Sequence, residues 1–174
     1  VYDVYNIPAF TDINLTNILR ETFELPVFIQ NDANCFALGE FLFGKGRGTY
    51  CMAGITIGTG MGTGIISNGK LVEGHLSGAG EFGCMPYLDG VIEDYVSGSF
   101  FKKMKNASGE KLFYMAHAGD DSALLGYEEF GYHLGYAINQ ILFAFAPEIV
   151  VIGGAVAEAF NYFEKAMHRE LDKF

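Results

Sequence analysis

The sequence predicts an α/β fold built on a mixed sheet, and three observations predict it. Short apolar runs rich in β-branched residues, "YCMAGITIG" and "PEIVVIGG", alternate with longer segments of helical patterning. The pair Asn68-Gly69, set between "GIIS" and "KLV", marks one antiparallel hairpin inserted into that alternation. The length of 174 residues and a hydrophobic content of 50% suit one compact domain or one lobe of a larger protein.

Taken in order, residues 11–25 read as a short helix with Asn14 as its cap, ended by Pro26. "PVFIQ" reads as a buried strand, "NDAN" as its end, and "CFALGEFLFG" as a helix that stops at Gly44. "YCMAGITIG" is a strand apolar on both faces, followed by a glycine stretch and the Asn-Gly hairpin. "EGHLSGAGEFG" is a glycine-rich loop, and "YLDGVIEDYVSGSFFKKMK" a helix interrupted near Ser97-Gly98. "GEKLFYMAHAG" is a short helix and "DDSALLGYEEFGYHLGYAINQILFAFA" a long one. "PEIVVIGG" is a strand and "AVAEAFNYFEKAMHREL" a closing helix. The chain opens without Met and stops inside a charged helical pattern, so residues 1–174 read as a single piece of a longer protein.

The formal net charge is -10. Apart from "FKKMK" there is no basic cluster, which argues against nucleic-acid binding by this chain. No apolar run reaches the roughly 20 residues that span a bilayer, so no membrane partner is expected. Cys35, Cys51 and Cys84 lie far apart, with no CxxC pair, which fits reduced thiols and a cytoplasmic location.

The stretch "ITIGTGMGTGIISNGKL" is the strongest chemical signal. A dinucleotide fingerprint started at Gly58 needs glycine where Thr63 stands; started at Gly60, it needs glycine where Ile65 stands. A hairpin follows instead of a helix, and the Gly-Lys-Ser/Thr ending of a Walker loop is absent. The stretch is then either a tight hairpin tip or a turn whose backbone N–H groups converge on phosphate, helped by the hydroxyls of Thr59 and Thr63. Gly153-Gly154 before a helix is an ordinary strand–helix turn or a place where a ligand approaches the backbone. Asn31-Asp32 is a helix cap or an active pair at a strand end.

Together, "PVFIQNDANCFALGE", "ITIGTGMGTGIISNGKLVEGHLSGAGEFG" and "PEIVVIGGAVAE" resemble the ROK family of repressors and sugar kinases in both order and spacing. The resemblance implies an actin-like (sugar kinase/Hsp70-type) ATPase fold, of which this chain is mainly the C-terminal lobe. It implies Asp32 as the catalytic base, and Asn31, Glu81 and Glu93 as sugar contacts. Gly58, Thr59, Gly60 and Gly62 would meet the ATP phosphates, and Gly153 and Gly154 the adenosine. Mg²⁺ would accompany ATP, held mainly by phosphate and water. Dimers or tetramers are common in the family.

The chain departs from the family pattern in two places. Cys84 stands where a zinc-binding His usually follows "GEFG", and "MPYLDGVIED" replaces the Cys cluster. One thiol cannot close a four-ligand zinc site, so no structural zinc is expected. Packing of Met85, Tyr87 and Leu88 would then stiffen the loop. The family's N-terminal Asp-Gly-Gly-Thr phosphate turn is also missing, so this piece alone is expected to be inactive. His75 and His117 have no visible partner and receive no role; the Phe- and Tyr-rich segment 127–145 reads as core. Two functions follow from the resemblance: an ATP-dependent hexose or N-acetylhexosamine kinase, and a sugar-responsive transcriptional repressor whose DNA-binding part lies outside the chain.

Overall fold

The structure is a computed structural model that describes residues 13–173. It divides into two units, Val1–Asn31 and Asp32–Phe174. In the first, helix α1 (Leu15–Phe23) starts where the sequence puts it: the Asn14 side chain accepts the Asn17 N–H at 3.1 Å. Glu24 closes it in the left-handed conformation. Residues 26–30 correct an expectation. They form no strand, and Phe28 is 92% exposed. A strand needs a neighbour for its ladder, and no described strand pairs with this run.

The second unit holds the sheet, whose strand order is β3-β2-β1-β6. Strand β1 (Met52–Ile57) pairs antiparallel with β2 (Met61–Ser67), and β2 with β3 (Lys70–Leu71). Residues Asn68 and Gly69, both at positive φ, make the β2–β3 turn, as the Asn-Gly pair predicts. Strand β6 (Ile149–Gly153) joins β1 in parallel, so the sheet is mixed.

The two faces of this sheet carry different residues. Ala53, Ile55, Ile57, Met61 and Ile65 join the main core with Phe130, Leu134 and Ile138 of helix α6 (Asp121–Phe145). Gly54, Gly62 and Gly64 turn to the other face, against helix α2 (Asp32–Phe43). A Cβ on Gly64 would stand 2.5 Å from the Ala33 carbonyl oxygen, and one on Gly62 would stand 2.8 Å from the Ala33 Cβ. The helix therefore lies closer to the strands than any side chain allows.

Helix α2 begins at Asp32, so the aspartate opens a helix instead of ending a strand. The expected interrupted helix over 87–105 is a second correction. Its start is a small hairpin, β4 (Pro86–Tyr87) with β5 (Gly90–Val91), turned through Leu88 at φ 51 and Asp89. Asp89-Gly90 is a turn signal that ends helical patterning. Two helices follow, α3 (Ile92–Tyr95) and α4 (Gly98–Lys105), broken at Ser97-Gly98 as expected. Helix α5 (Gly109–His117) is capped by Ser108, and α6 by Asp120, which accepts the Ala123 N–H at 2.9 Å. The closing segment opens with a 3-10 turn, Ala155–Ala159, before helix α7 (Phe160–Leu171). The segment 127–145 is largely core, including Tyr127, Phe130 and Leu134.

Gly64→Ala is expected to cost about 2 kcal/mol, because the new methyl meets backbone. Gly39→Ala is the control, since a Cβ there meets nothing within 4 Å. Inside a helix it should raise stability by about 0.5–1 kcal/mol. Urea unfolding of both variants in the full-length protein measures the contrast.

Candidate functional site

The turn Gly58-Thr59-Gly60 between β1 and β2 is the centre of the site. Its own closure is a Gly58 N–H to Gly60 O bond of 3.0 Å. Around it, separate stretches of chain converge. The first turn of α2 lies over Gly62, which brings Asp32 to this end of the sheet. One Asp32 carboxylate oxygen accepts the Ala33 N–H at 2.9 Å. Gly154, at φ +90, presses on β1: a Cβ there would stand 2.3 Å from the Ile57 carbonyl oxygen. The Gly98 N–H donates to the Gly58 carbonyl at 2.7 Å, tying the start of α4 to the turn. Gly83 leaves room for the Met61 carbonyl, 2.5 Å from where its Cβ would be.

Glu93 reaches the same turn. Its carboxylate accepts the Met61 N–H at 3.3 Å and lies 2.6 Å from where a Gly60 Cβ would be. Glu81 precedes the 3-10 turn Phe82–Cys84, and the Cys84 thiol donates to its carboxylate at 3.9 Å. Burial pushes the Cys84 thiol up, and the charges of Glu81 and Glu93 push it further in the same direction. The two glutamates named from the sequence thus face one neighbourhood, with Cys84 between them.

The glycines differ in what the structure asks of them. Gly58 has nothing within 4 Å of a would-be Cβ, so its backbone is open to a ligand. Gly62 and Gly153 lie in strands under α2; a Cβ on Gly153 would meet the Phe36 ring at 2.6 Å. Thr59 lines the site, whereas Thr63 lies inside β2 and is buried, so its hydroxyl does not join the turn. Asn31 is the last residue of the first unit, where its N–H donates to the Gln30 side chain at 2.8 Å. His75 is in a 3-10 turn, His75–Ser77, and His117 lies 3.3 Å from the Tyr162 hydroxyl.

Beside the turn opens a cleft of about 720 Å³. Gly58 and Thr59 form one end, and Ala155 and Val156, following Gly154, form another wall. Residues of α4, with Ser99 and Lys102, and of α5, with Phe113 and Tyr114, complete the lining. Its size is in the range of small-molecule sites. The sequence reading missed these α4 and α5 residues. Their signal is only helical spacing, which every amphipathic helix shares.

The sequence model of the ROK family matches residues 1–174. The chain belongs to the ROK family. It is 30% identical to a glucokinase of Halalkalibacterium halodurans, over 100% of this chain and 62% of that one. It is 30% identical to the xylose repressor of Bacillus subtilis, over 92% of this chain and 46% of the repressor. Its fold matches a ROK glucokinase of Streptomyces griseus, solved with glucose and AMPPNP, at a TM-score of 0.79 and 26% identity, over 90% of this chain and 62% of that one. The fold is therefore the actin-like type of ROK sugar kinases, with a mixed sheet and flanking helices. The chain spans about three-fifths of that glucokinase.

At the positions where the family resemblance implies a His and Cys cluster, this chain has the β4–β5 hairpin. Among the described residues no group of three or more His, Cys, Asp or Glu is placed to hold a metal ion. Tyr87 anchors the hairpin: its ring stacks on Tyr136 at 4.3 Å and meets Tyr95 edge-on at 5.3 Å. Its hydroxyl lies 3.0 Å from His133 Nδ1. Met85 and Leu88, named with Tyr87 as the packing that stiffens this loop, are 39% and 69% exposed and do not share its role. Tyr95, His133 and Tyr136 take their place.

His133 is buried, and burial holds its pKa below the usual imidazole value, against the smaller opposing pull of Glu129 and Glu170. Above about pH 6.5 the ring is neutral folded or unfolded, and its contribution is complete. As pH falls from there toward the lower folded value, the unfolded chain takes up a proton that the folded one resists, and stability falls. Urea midpoints measured between about pH 7.5 and about pH 5.5 should show this loss, and His133→Gln should shrink it. Tyr87→Phe should cost about 1 kcal/mol at neutral pH.

Proposed function

We propose that this chain is the catalytic and nucleotide-binding part of an ATP-dependent kinase acting on a hydroxyl of a hexose or N-acetylhexosamine. The observation that supports the reading most is the start of α2: Ala33, next to Asp32, packs against Gly62, two residues beyond the Gly58–Gly60 turn. Similarity to the glucokinase of H. halodurans and to the AMPPNP-bound glucokinase of S. griseus supports it.

In this reading Asp32 accepts the proton of the attacking sugar hydroxyl. One carboxylate oxygen is held by the Ala33 N–H, which fixes the group while the other oxygen meets the substrate. Phosphoryl transfer needs positioning and charge stabilisation above all. The open backbone of Gly58 and the Thr59 hydroxyl supply donors to ATP phosphates, and the Gly98 and Glu93 bonds keep that turn rigid. The Gly153-Gly154 turn brings the cleft wall against β1 and so lines the nucleotide's path. Glu81 and Glu93 accept from sugar hydroxyls, and Asn31 does so from its position next to Asp32. Mg²⁺ fits as an ion that arrives on the nucleotide, coordinated by phosphate and water oxygens, where it neutralises phosphate charge. A cytoplasmic location and a dimer or tetramer belong to the same proposal.

A second reading has its own support in the likeness to the xylose repressor of B. subtilis. There the same cleft binds sugar to switch DNA binding by another part of the protein.

The test is ADP release by the full-length protein with Mg-ATP and a panel of hexoses and 2-acetamido hexoses. The kinase reading expects sugar-dependent turnover that falls roughly a thousandfold in Asp32→Asn. A folded protein without turnover on any sugar, but with sugar-dependent DNA binding, would favour the repressor. Glu93→Ala frees the Met61 N–H and should raise KM for both substrates, whereas Glu93→Gln keeps an acceptor there and should raise it less.

A further inference from the structure

The cleft wall on α4 contains a charge that the sequence reading did not assign. Lys102 lines the cleft together with Gly58, Thr59 and Ser99. It is the one cation among the described lining residues; Glu110 and Glu158 are the anions. Its neighbour Lys103 is paired with Asp94, whereas Lys102 makes no ion pair with any described residue.

Its direction follows from helix geometry. Lys102 is one turn along α4 from Gly98, whose N–H is bonded to the Gly58 carbonyl. Side chains on a helix lean toward its N-terminus, so Lys102 leans back toward Gly98 and the glycine turn. Its four-carbon stem spans the distance of one helical turn. The cleft lining also includes the rings of Phe101, Phe113, Tyr114 and Tyr127. The cleft thus offers aromatic surface for a base as well as backbone, hydroxyl and ammonium donors for phosphates.

We infer that Lys102 pairs with the phosphates of the nucleotide, and so selects a nucleoside triphosphate bound base-first against α5 with its phosphates at the Gly58 turn. This rests on the kinase reading's nucleotide cleft and extends it by naming a binding residue and an orientation. In a chain of net charge -10, whose cleft lining also holds Glu110 and Glu158, Lys102 is the one described lining charge that attracts an anion, and its place one helical turn from the Gly98–Gly58 bond puts that attraction beside the glycine turn.

Calorimetric titration of the full-length protein with Mg-ATP, ADP and adenosine tests it. Lys102→Ala should weaken ATP binding about tenfold, the scale of one charge-assisted contact. Adenosine affinity should not change, Lys102→Arg should recover most of the loss, and Lys103→Ala should bind as wild type. Equal affinity of Lys102→Ala and wild type for ATP overturns the inference, as does an equal loss for ATP and adenosine. Sugar-dependent ADP release by the wild type is measured beside it. ATP binding with the predicted pattern but no turnover supports the inference while removing the kinase reading. Turnover with ATP binding indifferent to Lys102 removes only the inference. A wild type that binds no ATP removes both.

Discussion

Everything at the candidate site depends on a helix lying directly on backbone. Helix α2 packs on a patch of sheet where Gly54, Gly62 and Gly64 present no side chains, and Gly153 extends the patch onto β6. Gly54 and Gly64 are cross-strand partners, and Gly62 and Gly153 both pair with Thr56, so the bare surface lies on two alternate rungs of the ladder, which share one face. Ala33 and Ala37 meet the glycines of β1 and β2, and the Phe36 ring covers Gly153 and the edge of Gly54. Where alanine meets glycine, dispersion contacts form at backbone distance, and the bare Gly153 leaves room for the Phe36 ring. Position follows from this contact: the residue that begins the helix, Asp32, is held next to Ala33, at the Gly62 end of β2. A bulkier residue at any of these points would displace the carboxylate before it touched any ligand.

The turn itself is fixed from outside more than from within. Its internal bond is Gly58 to Gly60, while Gly98, Glu93, Gly154 and Gly83 press on it from other parts of the second unit. A flexible glycine loop would lose entropy on closing around a ligand. Here most of that ordering is completed on folding. The glycines serve less as hinges than as clearances, through which backbone from distant segments reaches the turn.

Much of this was legible in the sequence for physical reasons. Asn14, Ser108 and Asp120 cap helices, and Asn68-Gly69 turns a hairpin, because those signals act within a few residues. The sheet's mixed character followed from one hairpin set among alternating strands and helices. Residues 26–30 misled because an apolar β-branched run states a preference for pairing without naming a partner. Asp89-Gly90 was read through as helix because the apolar pattern around it is helical. The site was legible only where its residues cluster in motifs. Gly62 and Gly153 look like phosphate-loop glycines in sequence, yet their missing side chains make room for α2, a relation between segments far apart in the chain. Lys102 and Tyr114 face the cleft through helix rotation and packing, which no local pattern encodes.

The ring cluster around Tyr87 changes what the β4–β5 hairpin answers to. A loop closed by an ion forms when the ion is supplied and opens when a chelator removes it. A loop closed by Tyr87, Tyr95, His133 and Tyr136 is continuous with the buried face of α6 through Phe100 and Phe130. It therefore gains its shape in the same cooperative event as the core. Glu81 and Glu93 flank this hairpin on either side in the chain. Their spacing is thereby tied to the thermal stability of the whole second unit, so that heat or acid acting on the core would loosen it.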